Sequence, residues 1–143
     1  MQVQRYRDRI SGPLLDRIDI HIEVPAVQYR EMASNEPAEA STAIGTRVRG
    51  VREIQRQRFS REGKARTNAR MSSRQIKAFC QLGADAEGMM KMAMTELNFS
   101  ARAYDRILKV ARTVADLDAQ EQISAHHIAE AIQYRTLDRN LWA

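Results

Sequence analysis

Cysteine is nearly absent: Cys80 is the single thiol in 143 residues. One thiol cannot close an internal disulfide, which excludes a disulfide-stapled secreted scaffold and makes a reducing, cytoplasmic setting the expectation. Aromatic residues are only 6% of the chain, and there are six glycines and three prolines, too few for a turn-rich β-sandwich. No apolar run approaches the ~20 residues a membrane helix needs, so no membrane partner is expected. The opening residues, Met1-Gln2-Val3-Gln4-Arg5-Tyr6-Arg7, are charged from the start and do not resemble a signal peptide. Histidine is scarce as well. His126 and His127 are adjacent, so on a helix they point about 100° apart, and with His21 they make no zinc spacing. They read as ordinary polar positions, and no metal site is expected.

What is present is basic charge, concentrated in one segment. The net charge is +5. Between Arg47 and Arg74 lie ten Lys or Arg and two acids, Glu53 and Glu62, a local +8. From Gln75 to Ala143 eight bases face nine acids. The uneven distribution favours an anionic partner such as nucleic acid, although a solvated Arg-rich helix face has the same composition.

Hydrophobic periodicity divides the chain. Ile18, Ile20, Ile22 and Val24 alternate with Asp19, His21 and Glu23, and Pro25 follows, so the pattern predicts a strand at about 18–24. A lone strand has no partner for its backbone groups. The expectation is therefore a fragment, with 1–35 poorly ordered for want of its sheet. From about Pro37 the period is helical. Ile44, Val48, Val51 and Phe59, with Ile54 nearby, predict a helix at about 38–60, ended by Gly63. A basic linker follows at 61–71. Ser72 or Ser73 caps a short helix bearing Ile76, Phe79, Cys80 and Leu82. Asp85 caps a helix at about 86–97, Ser100 one at 101–117, and Ser124 one at 125–135. The broad face of Tyr104, Ile107, Leu108, Ala111, Val114 and Ala115 makes the fourth the strongest. Met71, Met89, Met90, Met92 and Met94 read as core filler. The prediction is an all-α five-helix bundle over 37–143, preceded by 1–36 with one orphan strand.

Much catalytic chemistry is missing. Cys80 has no base beside it and sits on an apolar face. Gly45-Thr46-Arg47-Val48-Arg49-Gly50 has the spacing of a phosphate loop, but Val51-Arg52 follows in place of Lys-Ser/Thr, and the stretch lies inside a helix. Two arginines stand out. Arg17 follows Leu14-Leu15-Asp16 and precedes the strand pattern. Arg102 lies in the first turn of the helix capped by Ser100, where the helix dipole disfavours a cation by a few tenths of a kcal/mol. Either Arg102 is a surface partner of Asp105, or it is placed to bind an anion there.

Four blocks carry a family resemblance. Arg9-Ile10-Ser11-Gly12-Pro13-Leu14-Leu15-Asp16-Arg17-Ile18-Asp19-Ile20-His21-Ile22-Glu23-Val24 resembles the segment that ends the ATPase core of magnesium-chelatase-like AAA+ proteins of the bacterial ComM/YifB type. Asn68-Ala69-Arg70-Met71, the stretch from Leu97-Asn98-Phe99-Ser100-Ala101-Arg102 to Thr113, and Ala129-Glu130-Ala131-Ile132-Gln133-Tyr134-Arg135 resemble the C-terminal domain of the same proteins. The resemblance implies that 1–36 is the truncated end of the ATPase core and 37–143 the C-terminal helical lid. It matches Arg17 to the arginine finger, which reaches a neighbouring subunit's γ-phosphate, and Arg102 to the sensor-2 position, which contacts the ATP phosphates. ATP and Mg²⁺ would serve the parent protein, an ATPase. This fragment lacks the Walker A and Walker B segments, so neither bound cofactor nor hydrolysis is expected of it alone.

The implied partners are the missing ATPase core, neighbouring subunits of a hexameric ring, and DNA remodelled by branch migration in natural transformation. Arg47, Arg49, Arg52, Arg56 and Arg58 are the candidate nucleic-acid contacts, or they face an adjacent subunit. Two alternatives stay open: a subunit of a magnesium chelatase, and a stand-alone basic DNA-binding helical module.

Overall fold

The computed structural model describes residues 14, 17–22, 24–29, 33, 38–61 and 67–135. Gly63, expected to end the first helix, lies outside them.

Five α-helices are present among the described residues: α1 Ser41–Arg58, α2 Ser73–Phe79, α3 Ala84–Glu96, α4 Ala101–Leu117 and α5 Ala125–Gln133. A 3₁₀ turn, Asn68–Arg70, precedes α2. The all-α five-helix reading holds, and the caps explain most of the boundaries. Ser72 and Gln75 form a capping box: the Ser72 N–H donates to Gln75 Oε1 at 3.0 Å, while the Gln75 N–H points to Ser72 Oγ. Ser100 Oγ accepts the Ala103 N–H at 3.2 Å. At Ser124 the backbone N–H donates to Nδ1 of His127, 3.0 Å away. Asp85 is not a cap. Gly83 occupies that place, and Asp85 lies in the first turn, where its charge suits the positive end of α3.

The central element is α4, which packs against α1, α2, α5 and the 3₁₀ turn, while α3 packs on α5. Ile107, Ala111 and Ala115 meet Ile123, Ile128 and Ala131 in a core closed to solvent. Met71 and Met90 fill that core and Met89 and Met94 pack against it, whereas Met92 is exposed. Phe59 and Phe79 meet edge to face, with centroids 5.6 Å apart, and tie the end of α1 to α2. A single parallel bridge, Leu82 to Ile123, joins the loops that precede α3 and α5.

Two expectations change. Ile44 and Val48 are exposed, although they share a helix face with the buried Val51 and Phe59. Among the described residues, full cover of this face begins only at Val51. The alternating segment forms no strand among its described residues, 18–22 and 24. It is not idle either. The His21 N–H donates to the Tyr134 carbonyl at 2.7 Å, and the Ile18 carbonyl accepts from Arg135 Nη1 at 2.8 Å. Two of the segment's backbone groups are thus satisfied just past the end of α5 rather than by a neighbouring strand.

Candidate phosphate-contacting arginines and the polar hub

Arg102 stands in the first turn of α4, exposed, and its guanidinium makes no hydrogen bond or ion pair with the described residues. The surface pairing with Asp105 is therefore not formed. Its place is set by the turn before it. α3 ends at Leu97, Asn98 takes a left-handed φ of 51°, and the chain reverses into the Ser100 cap. Asn tolerates that conformation better than other non-glycine residues, so the Asn98-Phe99-Ser100 sequence serves local geometry. A cation in the first turn at a positive helix end is placed to meet an anion, since both recognise the same charge.

Arg17 is also exposed. Its backbone N–H donates to the Leu14 carbonyl at 3.0 Å, and no side-chain bond to the described residues engages its guanidinium.

The five arginines of α1 divide. Arg47 pairs with Glu39 through two hydrogen bonds, one of 3.0 Å, and this guanidinium holds the Glu39 carboxyl below the ordinary carboxylate range. Arg49 donates to Thr46 Oγ1 at 3.2 Å, Arg56 lies 2.9 Å from Glu53, and Arg52 is exposed. These four line an accessible surface. Arg58 turns the other way. Its Nη1 reaches Asp116 Oδ2 at 2.7 Å and Asn68 Oδ1 at 2.9 Å, and only 14% of the side chain is exposed.

That inward turn exposes a feature the periodicity did not reveal. Asp116, buried on α4, accepts from Arg58, from Arg112 Nε at 3.1 Å and from Asn68 Nδ2 at 2.8 Å. Asn68 also donates its backbone N–H to Gln55 Oε1 at 3.3 Å. Arg112 is 2% exposed and its remaining nitrogens cap the carbonyls of Gln120 and Glu121. Burial lowers the Arg112 pKa from its ordinary value, with Asp116 opposing that shift. One signal was available in the sequence: Arg112 and Asp116 are charged residues at i, i+4 on the otherwise apolar face of α4.

His127 is buried, with Nε2 3.1 Å from Asp118 Oδ2. With Nδ1 accepting from Ser124, Nε2 carries the proton and donates to Asp118. Among the described residues no group of three or more His, Cys, Asp or Glu side chains gathers as a metal site. Burial pushes the Cys80 thiol up to about 11, so it is not a nucleophile at neutral pH. No helix among the described residues is long and apolar enough to cross a membrane.

Comparison with known proteins agrees with this architecture. Residues 38–135 match the family model described as "Magnesium chelatase, subunit ChlI C-terminal", and residues 1–32 match "Magnesium chelatase, subunit ChlI". Competence protein ComM of Haemophilus influenzae is 41% identical over 141 residues, 98% of this chain and 27% of that protein. An uncharacterised protein, YifB, of Escherichia coli is 38% identical over the same shares. An uncharacterised protein of Mycobacterium tuberculosis is 29% identical over 92% of this chain and 26% of its own length. The chain thus spans about a quarter of the curated relatives it matches. From its helices, its four sequence blocks and these matches, the chain belongs to the magnesium-chelatase-like family of the ComM and YifB type, with residues 38–135 matching the C-terminal domain.

Proposed function

We propose that this chain is the lid region of a ring-forming AAA+ ATPase that couples ATP binding and hydrolysis to DNA remodelling during natural transformation in the cytoplasm. The observation that carries the proposal is the 41% identity to Competence protein ComM across 98% of the chain. The exposed Arg102 at the positive end of α4, with no partner for its guanidinium among the described residues, fits the phosphates of ATP, and the exposed Arg17 fits an arginine finger acting on the neighbouring subunit's nucleotide. Mg²⁺ would belong to the ATPase core, because the described residues gather no carboxylate set for it. The four outward arginines of α1 would meet DNA or an adjacent subunit of a hexamer.

The test is ATP hydrolysis by the full-length protein, wild type against Arg102→Ala, with and without branched or single-stranded DNA. Hydrolysis that rises with DNA and collapses in the variant is the expected result. Wild-type rates in Arg102→Ala overturn the sensor role. The descriptions of the matching family models favour a second reading, a magnesium chelatase subunit. Hydrolysis indifferent to DNA, together with porphyrin-dependent Mg²⁺ insertion alongside a partner subunit, would establish that reading instead.

A further inference from the structure

We infer that Arg106 and Arg135 hold the backbone that presents Arg17, so that Asp19, Arg106 and Arg135 are positioning residues for the arginine finger. This rests on the finger role proposed above for Arg17.

Three tethers fall within four residues just after Arg17. The Ile18 carbonyl accepts from Arg135 Nη1 at 2.8 Å. The Asp19 carboxylate pairs with Arg106 on α4. The His21 N–H donates to the Tyr134 carbonyl at 2.7 Å. The tethers come from two helices and lie far along the chain, Asp19 and Arg106 being 87 positions apart. They are unequal in strength. Asp19 and Arg106 are each about a third exposed, and solvent weakens that pair. Arg135 is fully buried, so its charged bond to the Ile18 carbonyl sits in a low-dielectric setting and resists exchange with water. Hydrophobic contact is only partial, since Ile18, Ile20 and Ile22 are 40%, 47% and 68% exposed, although Ile20 and Ile22 lie beside Val110 and Val114 of α4. The polar tethers therefore share with that contact the placing of this backbone.

Arg17 is one residue before the first tether, and no described side chain fixes its guanidinium. Its position is inherited from Ile18 and Asp19. On the other side of the latch, Arg106 is one helical turn after Arg102, on the same side of α4. A shift of α4 that moves Arg102 also moves Arg106, and through Asp19 it moves Arg17. The two arginines proposed to read phosphates, both carried by this chain, are linked through the Asp19–Arg106 ion pair. Misplacement of a transition-state group by about 1 Å can cost on the order of 100-fold in rate, so a latch of this kind has leverage.

The experiment compares full-length Asp19→Asn, Arg106→Gln, the charge swap Asp19→Arg with Arg106→Asp, and Arg17→Ala in ATP hydrolysis. We expect each single latch variant to lose about tenfold or more in kcat with KM for ATP changed far less, and the swap to recover most of the loss. A merely structural role would move stability without that split between kcat and KM. Latch variants that hydrolyse like wild type while Arg17→Ala is inactive overturn the latch and leave the finger standing. An Arg17→Ala protein as active as wild type overturns both, because no finger remains to be positioned. Alongside activity, amide exchange at Ile18 to His21 in the full-length protein decides the matter where a latch variant loses stability. Faster exchange at those amides in Arg106→Gln, with α4 protection unchanged, supports the latch, and unchanged exchange overturns it.

Discussion

Arg58, in the last turn of α1, and Asp116, in the last turn of α4, are 58 positions apart in sequence and meet through both terminal guanidinium nitrogens and both carboxylate oxygens. Arg112 and Asn68 complete the set around the same carboxylate. One acid thus serves two arginines, and its loss strands both. Asp116→Asn is expected to destabilise the chain by about 3–5 kcal/mol, the range for breaking one partner out of a buried ion pair. Arg58→Ala should cost less, because Asp116 keeps Arg112 and Asn68. Urea unfolding of the three proteins checks the order. Equal midpoints for wild type and Asp116→Asn would show that the hub contributes no stability.

α4 ends in a Schellman arrangement. The Gln120 N–H donates to the Ala115 carbonyl at 2.8 Å and the Ala119 N–H to the Asp116 carbonyl at 3.2 Å, with Ala119 at φ 53°. An alanine there bears a steric penalty that glycine does not. Ala119→Gly should stabilise by about 1 kcal/mol and raise the thermal midpoint, and Ala119→Val should lower it. Thermal unfolding of both variants measures the difference. A lower midpoint for Ala119→Gly would contradict the left-handed turn.

Cys80 is 5% exposed, and its pKa is raised from 9.0 to about 11, chiefly by burial. The fold therefore favours the neutral thiol. That contribution is fully present below about pH 9, the ordinary value, and is lost as pH rises through about 11. Cys80→Ala should flatten this part of the stability–pH curve. In the native protein iodoacetamide should label Cys80 slowly at about pH 8, and urea should accelerate labelling. Fast native labelling would mean that the α2 end opens readily.

Four arginines of α1 face outward and one faces in. If DNA binds this helix, alanine at Arg47, Arg49, Arg52 and Arg56 together should reduce the slope of log affinity against log salt. The reduction is about 0.9 for each phosphate that these arginines neutralise. Arg58 is left in place, since its substitution would act through stability. Fluorescence anisotropy across a salt series gives the slope. An unchanged slope removes DNA from α1 and leaves the adjacent subunit as its partner.

Much of the helical framework was legible because its signals are local. Ser72, Ser100 and Ser124 announce helix starts through hydrogen bonds made within a few residues. The apolar period of α4 marks the face it buries, and Ile107, Leu108, Ala111, Val114 and Ala115 are all buried as expected. Tyr104, counted on that face, lies at its edge and is 37% exposed. Among the candidate site residues, the oddity of a cation in the first turn of α4 was visible in the sequence, because the helix dipole is itself a local property.

Other features depended on distant partners. The apolar stripe of α1 has one period along its length, yet it is covered only from Val51 onward. The basic run gave Arg58 the same standing as its neighbours, and only Asp116 and Asn68 distinguish it. The alternation at 18–24 predicts a strand, and its described residues form none. It does not say that two of the segment's backbone groups find partners in Tyr134 and Arg135.

The sequence by itself determined where helices start, which face of each is apolar, and which arginines are out of place, since capping, periodicity and dipole effects act within one or two turns. Only the tertiary structure decided which faces are covered, which arginine is drawn inward, and what latches the backbone beside Arg17. Those outcomes depend on desolvating charges brought together from positions 58 and 87 residues apart, and no local pattern encodes such a meeting.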